Sequence, residues 1–331
     1  MSFIKKFTNP NFSKRVLKKW NTVTRKYKVT HPLNNYKTVV WLFGSGRSGT
    51  TWIADLINYK GEKRELFEPF HPIFNKDFNH LELHQYYDND SKDYLKKKYR
   101  EIFSGKFYFP NADYFNNKSI YKGLLVKDIF SNMFAKEIIE DNQNVRPLFL
   151  IRFPFDVALS KTDNKSSYWQ GNPIEFLKQD SLVKDYLSPF TALIEQIQKE
   201  NDPICKHILT WAIINYVPLK KLNKDDAYIV FYEEVFLNPK EETSNILNYI
   251  YKTATNYNIP DSVINKKSRV SPNKTFQERK LSMKWKERIT DEQYKTSMYI
   301  LEQFGFDKLY NENKIPQRTV LDSFLNNNSN V

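Results

Sequence analysis

Residues 38–59 narrow the possible folds more than any other stretch of the chain. They read Thr-Val-Val-Trp-Leu-Phe-Gly-Ser-Gly-Arg-Ser-Gly-Thr-Thr-Trp-Ile-Ala-Asp-Leu-Ile-Asn-Tyr. Thr38 to Phe43 is an apolar, β-branched and aromatic run, the composition of a buried strand. Gly44, Gly46 and Gly49 let the backbone turn tightly and come close to a ligand. From Thr50 on, Trp52, Ile53, Leu56 and Ile57 recur at helical spacing. A strand, a glycine turn and a helix start together present backbone N–H groups and a positive helix end to an anion.

Which anion depends on the turn's other residues. Gly44-x-Gly46-x-x-Gly49 formally satisfies a dinucleotide fingerprint, but bulky Trp52 follows. No acidic residue closes a second strand about 20 residues later, where a ribose contact would need one. Gly44-x-x-x-x-Gly49 also opens a nucleoside-triphosphate loop, yet Thr50 stands where that loop needs lysine. A plain glycine turn would need neither Arg47 nor the hydroxyls of Ser45, Ser48, Thr50 and Thr51.

Gly44-Ser-Gly-Arg-Ser-Gly-Thr-Thr-Trp52 resembles the 5′-phosphosulfate loop of sulfotransferases that use 3′-phosphoadenosine-5′-phosphosulfate (PAPS). The resemblance implies that Arg47 touches the bridging oxygen. It implies that Gly46, Ser48, Gly49, Thr50 and Thr51 cradle the 5′-phosphate and that Trp52 lies against the adenine. Arg at the basic position is the form carried by many family members that sulfate carbohydrates.

Two later segments extend the resemblance to about residues 38–305. Leu148 to Ile151 is a second buried-strand run, with Arg152 at its carboxyl end and Pro154 suited to a first helical turn. Ligands of open α/β sheets bind outside the carboxyl ends of strands, and Ser160 follows two helical turns later. This Arg152/Ser160 pair is similar to the family's 3′-phosphate motif. Tyr232-Glu-Glu, followed by Pro239, looks like the family's segment whose Tyr approaches adenine. Asn238 is expected to cap the next helix, with Pro239 at its first position. Ser268-Arg269-Val resembles the late basic loop, which implies that Arg269 closes over the 3′-phosphate.

The reaction so implied is sulfuryl transfer, which needs alignment and electrostatic help on the leaving side, as phosphoryl transfer does. No metal is expected. His71, His80 and His84 could bring two rings onto one helix turn, but a surface or core role fits them better. Leu66-Phe-Glu-Pro-Phe-His-Pro72 looks like the "EP…H" stretch of carbohydrate sulfotransferases, which makes Glu68 the expected general base and His71 the second candidate. Lys127 ends another apolar run, without the His that small-molecule members carry nearby. It is expected to contact the sulfonate or to pair with Asp128. The alternative for Glu68 is a structural role, as a cap or as the partner of Arg64.

Four strands are expected, at 38–43, 120–126, 147–151 and 227–232, with helices through most of 173–222. The expected fold is α/β and P-loop-like: three layers, with a mostly parallel central sheet flanked by helices. Residues 1–35 carry nine basic residues and no acid, leaving +4 of the net +13 for the rest. They read as a basic arm, amphipathic enough to lie on an anionic membrane surface, without the apolar stretch of a signal peptide. Residues 36–311 would be the sulfotransferase domain and 312–331 a polar tail. No apolar run reaches the ~20 residues of a membrane span. Cys205 is the single cysteine, which suits a reducing, cytoplasmic compartment. The expected acceptor is a carbohydrate or glycolipid, with segments 70–119 and 162–200 shaping its pocket and nucleic acid excluded. The alternative is a membrane-associated or scaffold protein that keeps a non-catalytic anion loop.

Overall fold

Alternation along the apolar strands splits the core in two. In strand β1, Thr38–Gly44, Val39, Trp41 and Phe43 face one hydrophobic cluster, while Val40 and Leu42 face another. A strand apolar on both faces belongs inside a parallel sheet covered on both sides. The computed structural model shows that sheet, and it describes residues 24, 26–27, 29–30, 36–163, 172–266, 269 and 285–326.

Five strands run in the order β2-β3-β1-β4-β5, with β2 at Lys63–Phe67, β3 at Gly123–Asp128, β4 at Val145–Ile151 and β5 at Tyr228–Phe231. All neighbouring pairs are parallel. The chain first builds outward from β1 through β2 and β3, then crosses to β4 and β5 on the other side. That reversal puts a crevice at the carboxyl end of β1, where open sheets bind ligands.

Helix α1, Thr50–Ile57, covers one face with Trp52, Ile53, Leu56 and Ile57. The other face is covered by α2 (Lys92–Phe103), α3 (Ala135–Asp141), α4 (Pro154–Thr162), α5 (Thr191–Glu200) and α6 (Pro203–Lys221). After β5, α7 (Tyr232–Leu237) leads into α8 (Pro239–Tyr251), whose Ile246, Leu247 and Ile250 join Trp52 on the first face. Helix α9, Asp291–Gln303, opens with a capping box between Thr290 and Gln293 and packs on α6.

Several boundaries differ from the expectation. Strand β2 was not anticipated, because Lys-Arg-Glu-Leu-Phe shows no apolar alternation. Its charges are buried by specific partners. Lys63 reaches the Tyr251 hydroxyl at 2.6 Å, Arg64 grips Asp113, and Glu65 meets Arg269. The third strand begins at Gly123, later than 120, and β4 begins at Val145, earlier than 147. Asn238 occupies the N-cap of α8, but its side chain makes no capping hydrogen bond. The tail is no solvated appendage where it is described. Lys314 is buried against Asp156 at 2.7 Å, and helix α10, Arg318–Asn326, buries Leu321 and Leu325 in the core. Burial of each leucine contributes roughly 1.5–3 kcal/mol. Most of the basic arm lies outside the described residues. Within it, Val29 is buried and its carbonyl accepts a hydrogen bond from the Tyr36 hydroxyl.

Candidate active site

The glycine turn closes at the carboxyl end of β1 as the sequence implied, and close approach explains two of its glycines. A Cβ on Gly44 would sit 2.4 Å from the Leu150 carbonyl oxygen. A Cβ on Gly49 would meet the Tyr232 ring at 2.6 Å, and Gly49 has φ 92°, in the left-handed region. Gly49 is also the N-cap of α1, whose first turn carries no acidic side chain, so the positive end of the helix is left for a ligand. The buried Ser48 hydroxyl has no hydrogen-bond partner among the described residues. A buried polar group without a partner costs stability, and a phosphate oxygen at this turn would supply one.

Arg47 adopts φ 69° within the turn. Its Nε donates to the Ser160 hydroxyl of α4 at 2.9 Å, and its carbonyl accepts from Arg152 Nη1 at 3.1 Å. Arg47, Arg152 and Ser160, which lie in two segments far apart in sequence, therefore meet at one loop. The Arg152 guanidinium lies 4.3 Å from the centre of the Tyr232 ring. Its carbonyl is held by the Trp211 indole N–H at 3.0 Å, and its Nε has no hydrogen-bond partner among the described residues.

Gly46 and Thr50 are buried and Thr51 is half-buried beside them. Trp52 is a core residue, 2 % exposed. It packs edge-on against Tyr232 and its indole donates to the Ile264 carbonyl at 3.2 Å. In this arrangement neither face of the indole is open to a base. Arg269 is directed elsewhere too: its guanidinium meets Asp55 at 2.8 Å and Glu65 at 2.9 Å and lies over Phe115.

Glu68 follows β2 directly, at φ 47°, a left-handed conformation unusual for a side-chain-bearing residue. Such strain persists only where surrounding bonds hold it. Here the Glu68 N–H donates to the Lys127 carbonyl at 2.6 Å, and the Lys127 ammonium pairs with the Glu68 carboxylate. Lys127 thus does not pair with Asp128, nor Glu68 with Arg64. Strand alternation turns Lys127 and Asp128 to opposite sides. Arg64 is bound to Asp113 through two bonds, at 2.7 and 2.8 Å.

Asp128 has a different task. Its carboxylate accepts from the N–H groups of Phe70, Phe130 and Ser131 at 3.1, 2.7 and 2.9 Å, tying the Glu68 segment to the end of β3. Burial raises its pKa to about 6. Glu233 plays the same part on the other side. It accepts from the Phe153 N–H at 3.0 Å and the Tyr310 hydroxyl at 3.2 Å, and burial raises its pKa to about 7. Both were missed as positioning residues. The only signal in the sequence was a carboxylate immediately after an expected strand-end residue, Lys127 or Tyr232.

The three expected histidines do not share a helix turn. His71 is buried against Phe74 and Phe130, its Nδ1 accepting from the Ile73 N–H at 3.2 Å, and burial lowers its pKa to about 4. His80 packs on Tyr94, and His84 lies buried beside Phe176.

No curated protein matches the chain. Among solved structures, a sulfotransferase domain from the curacin biosynthetic pathway is 17% identical, with 81% of this chain and 98% of that one covered and a TM-score of 0.43. Retinol dehydratase in complex with androsterone and PAP is 14% identical, with 88% of each chain covered and a TM-score of 0.40. A sulfotransferase from Alicyclobacillus acidocaldarius is 13% identical, with 80% and 94% covered and a TM-score of 0.39. The sulfotransferase domain model matches residues 37–305, most of the chain and all of the site described above. The chain therefore belongs to the sulfotransferase domain family.

Proposed function

We propose that the chain moves a sulfuryl group from PAPS to a hydroxyl or amine of a carbohydrate or glycolipid by in-line displacement. The observation that carries this reading is the meeting of Arg47 with both Ser160 and Arg152 at the glycine turn. The donor's 5′ side suits the α1 N-terminus and the unbonded Ser48 hydroxyl, and its 3′-phosphate suits Arg152 and Ser160. PAPS, when bound, supplies the sulfuryl group and a phosphate leaving group. Arg47 donates to the bridging oxygen as negative charge gathers there. Glu68 takes the acceptor's proton, and Lys127 fixes the direction of its carboxylate. Tyr232 supports the adenine end, and Trp52 acts from behind it by packing edge-on against its ring. Arg269 contributes by bracing β2 against α1 through Glu65 and Asp55.

Arg at position 47 and the Glu68-Pro-Phe-His71 segment favour a carbohydrate acceptor. Charge in residues 1–35 favours peripheral contact with an anionic membrane, and the lone Cys205 favours a cytoplasmic location. The test is transfer of labelled sulfate from PAPS to a panel of glycans, glycolipids and phenols. We expect turnover of a glycan, reduced about 10²–10⁴-fold by Glu68→Gln. Full activity in that variant removes Glu68 as the base. Binding of the donor with no turnover of any acceptor leaves a non-catalytic anion loop instead.

A further inference from the structure

A cavity of about 150 Å³ adjoins the glycine turn, and it contains a buried lysine that nothing described so far uses. Its walls include Gly46 of the turn, Ile129 and Phe130 after β3, Phe176, His84 and Lys161. Lys161 follows Ser160 on α4 and is 4 % exposed. Long charged side chains are seldom buried so completely without a partner. Yet no hydrogen bond or carboxylate is recorded for its ammonium among the described residues.

The groups around it leave the charge unmatched. Arg47, on the donor loop, is a second cation, and together with burial it lowers the lysine's pKa to about 8. His84 and His207, both facing Lys161, are held neutral by burial, with pKa values near 3. The Thr210 hydroxyl donates its hydrogen bond to the Lys206 carbonyl, and Gln179 is bonded to the backbone of His84 and Tyr86. The cavity's two carboxylates, Glu82 and Glu175, are half-buried and neither pairs with Lys161; Glu175 pairs with the exposed Lys178. Lys127 differs in kind, because its charge is already met by Glu68.

A buried cation with no counterion among the described residues, next to a loop that holds a second cation, marks the place of an anion. We propose that Lys161 is a further catalytic residue that binds the transferring sulfonate at the junction of donor loop and acceptor cavity. This rests on the reading of the chain as a PAPS-dependent enzyme. In the transfer, the bond from acceptor oxygen to sulfur forms as the bond from sulfur to the bridging oxygen breaks. PAP leaves with that electron pair and the acceptor's proton goes to Glu68. Lys161 meets the sulfonate oxygens throughout, while Arg47 meets the departing oxygen.

PAPS carries the sulfonate and PAP lacks it, so the two ligands separate this role from a structural one. Calorimetric titration of the wild-type chain, Lys161→Met and Lys161→Gln with each ligand is the test. We expect PAP affinity within about twofold of wild type in both variants, and PAPS affinity, and with it kcat/KM for PAPS in turnover, reduced about tenfold or more, the loss of one charge-assisted bond. Retained PAP binding also shows that the variant is folded, and the two substitutions differ in how easily a buried polar amide is accommodated. PAPS and PAP weakening together, an unchanged PAPS-to-PAP ratio, or a raised acceptor KM alone overturns the assignment. A wild-type chain that binds neither ligand overturns the proposed function itself.

Discussion

At the scale of single residues, the site is built from side chains held in conformations they would not choose alone. Arg47 and Glu68, the residues assigned to the leaving oxygen and to the acceptor proton, both have positive φ, at 69° and 47°. Each is fixed by long-range bonds: Arg47 by Arg152 and Ser160, Glu68 by both ends of Lys127. Gly49 is the counterpart where no side chain fits. Gly49→Ala must place a methyl group 2.6 Å from the Tyr232 ring at a φ of 92°, so either the ring or the turn gives way. We expect a stability loss of about 1–3 kcal/mol by urea denaturation together with weakened PAP binding. A variant with wild-type stability and affinity would show that the turn tolerates a side chain there.

At the scale of elements, legibility in the sequence followed how each element is buried. Strands β1 and β4 are apolar on both faces, and their runs Val39–Phe43 and Leu148–Ile151 could be read directly. The glycine turn and the Arg152/Ser160 pair could be read because phosphate chemistry restricts residue type at fixed spacing. Strand β2 could not, because its burial is electrostatic. Arg64 is satisfied by Asp113 and by the Gly105 and Phe107 carbonyls at 2.6 Å each, all contributed by a segment some forty residues later. The same cause hid Asp128 and Glu233, whose hydrogen bonds to backbone N–H groups depend on how loops return to the sheet. Lys161 was passed over for the opposite reason. As one basic residue in an amphipathic helix it gave no signal until the surrounding cavity showed that no carboxylate among the described residues pairs with it. Helix α10 reads as polar tail although Val320, Leu321, Phe324 and Leu325 recur at helical spacing; that short period is masked by the polar residues around it, and in the fold Leu321 and Leu325 are buried while Phe324 stacks on Phe306.

At the scale of the whole molecule, buried titratable groups set how stability responds to acid. His71, His84 and His207 have folded pKa values near 4, 3 and 3, below the unfolded 6.5. As pH falls below 6.5, the unfolded chain takes up protons that the folded chain refuses, and stability drops. Asp128 and Glu233 act in the other direction. Their folded values, about 6 and 7, exceed the unfolded 3.8 and 4.5, so acidification relieves a penalty. Glu65, fully buried, is shifted upward as well, so the carboxylates offset part of what the histidines contribute. Each histidine still adds up to about one proton to the unfolded excess between pH 5 and 6.5, a slope contribution of about 1.4 kcal/mol per pH unit. Replacing His207 with Gln removes one such contribution, and the pH dependence of stability measured by urea denaturation across the window should fall by about that amount. An undiminished slope in that variant would mean that His207 does not titrate as its burial requires.

All of these scales converge on one claim, that the turn after β1 and the Arg152/Ser160 pair form a single site for an adenosine 3′,5′-bisphosphate. Calorimetric titration of the full chain with PAP in a chelator, without added Mg²⁺, addresses it directly. Saturable binding is expected, weakened about 10–100-fold in Arg152→Ala by loss of a charge-assisted phosphate contact and also weakened in Arg47→Ala. No binding by the wild-type chain, or equal binding by all three proteins, would contradict the account.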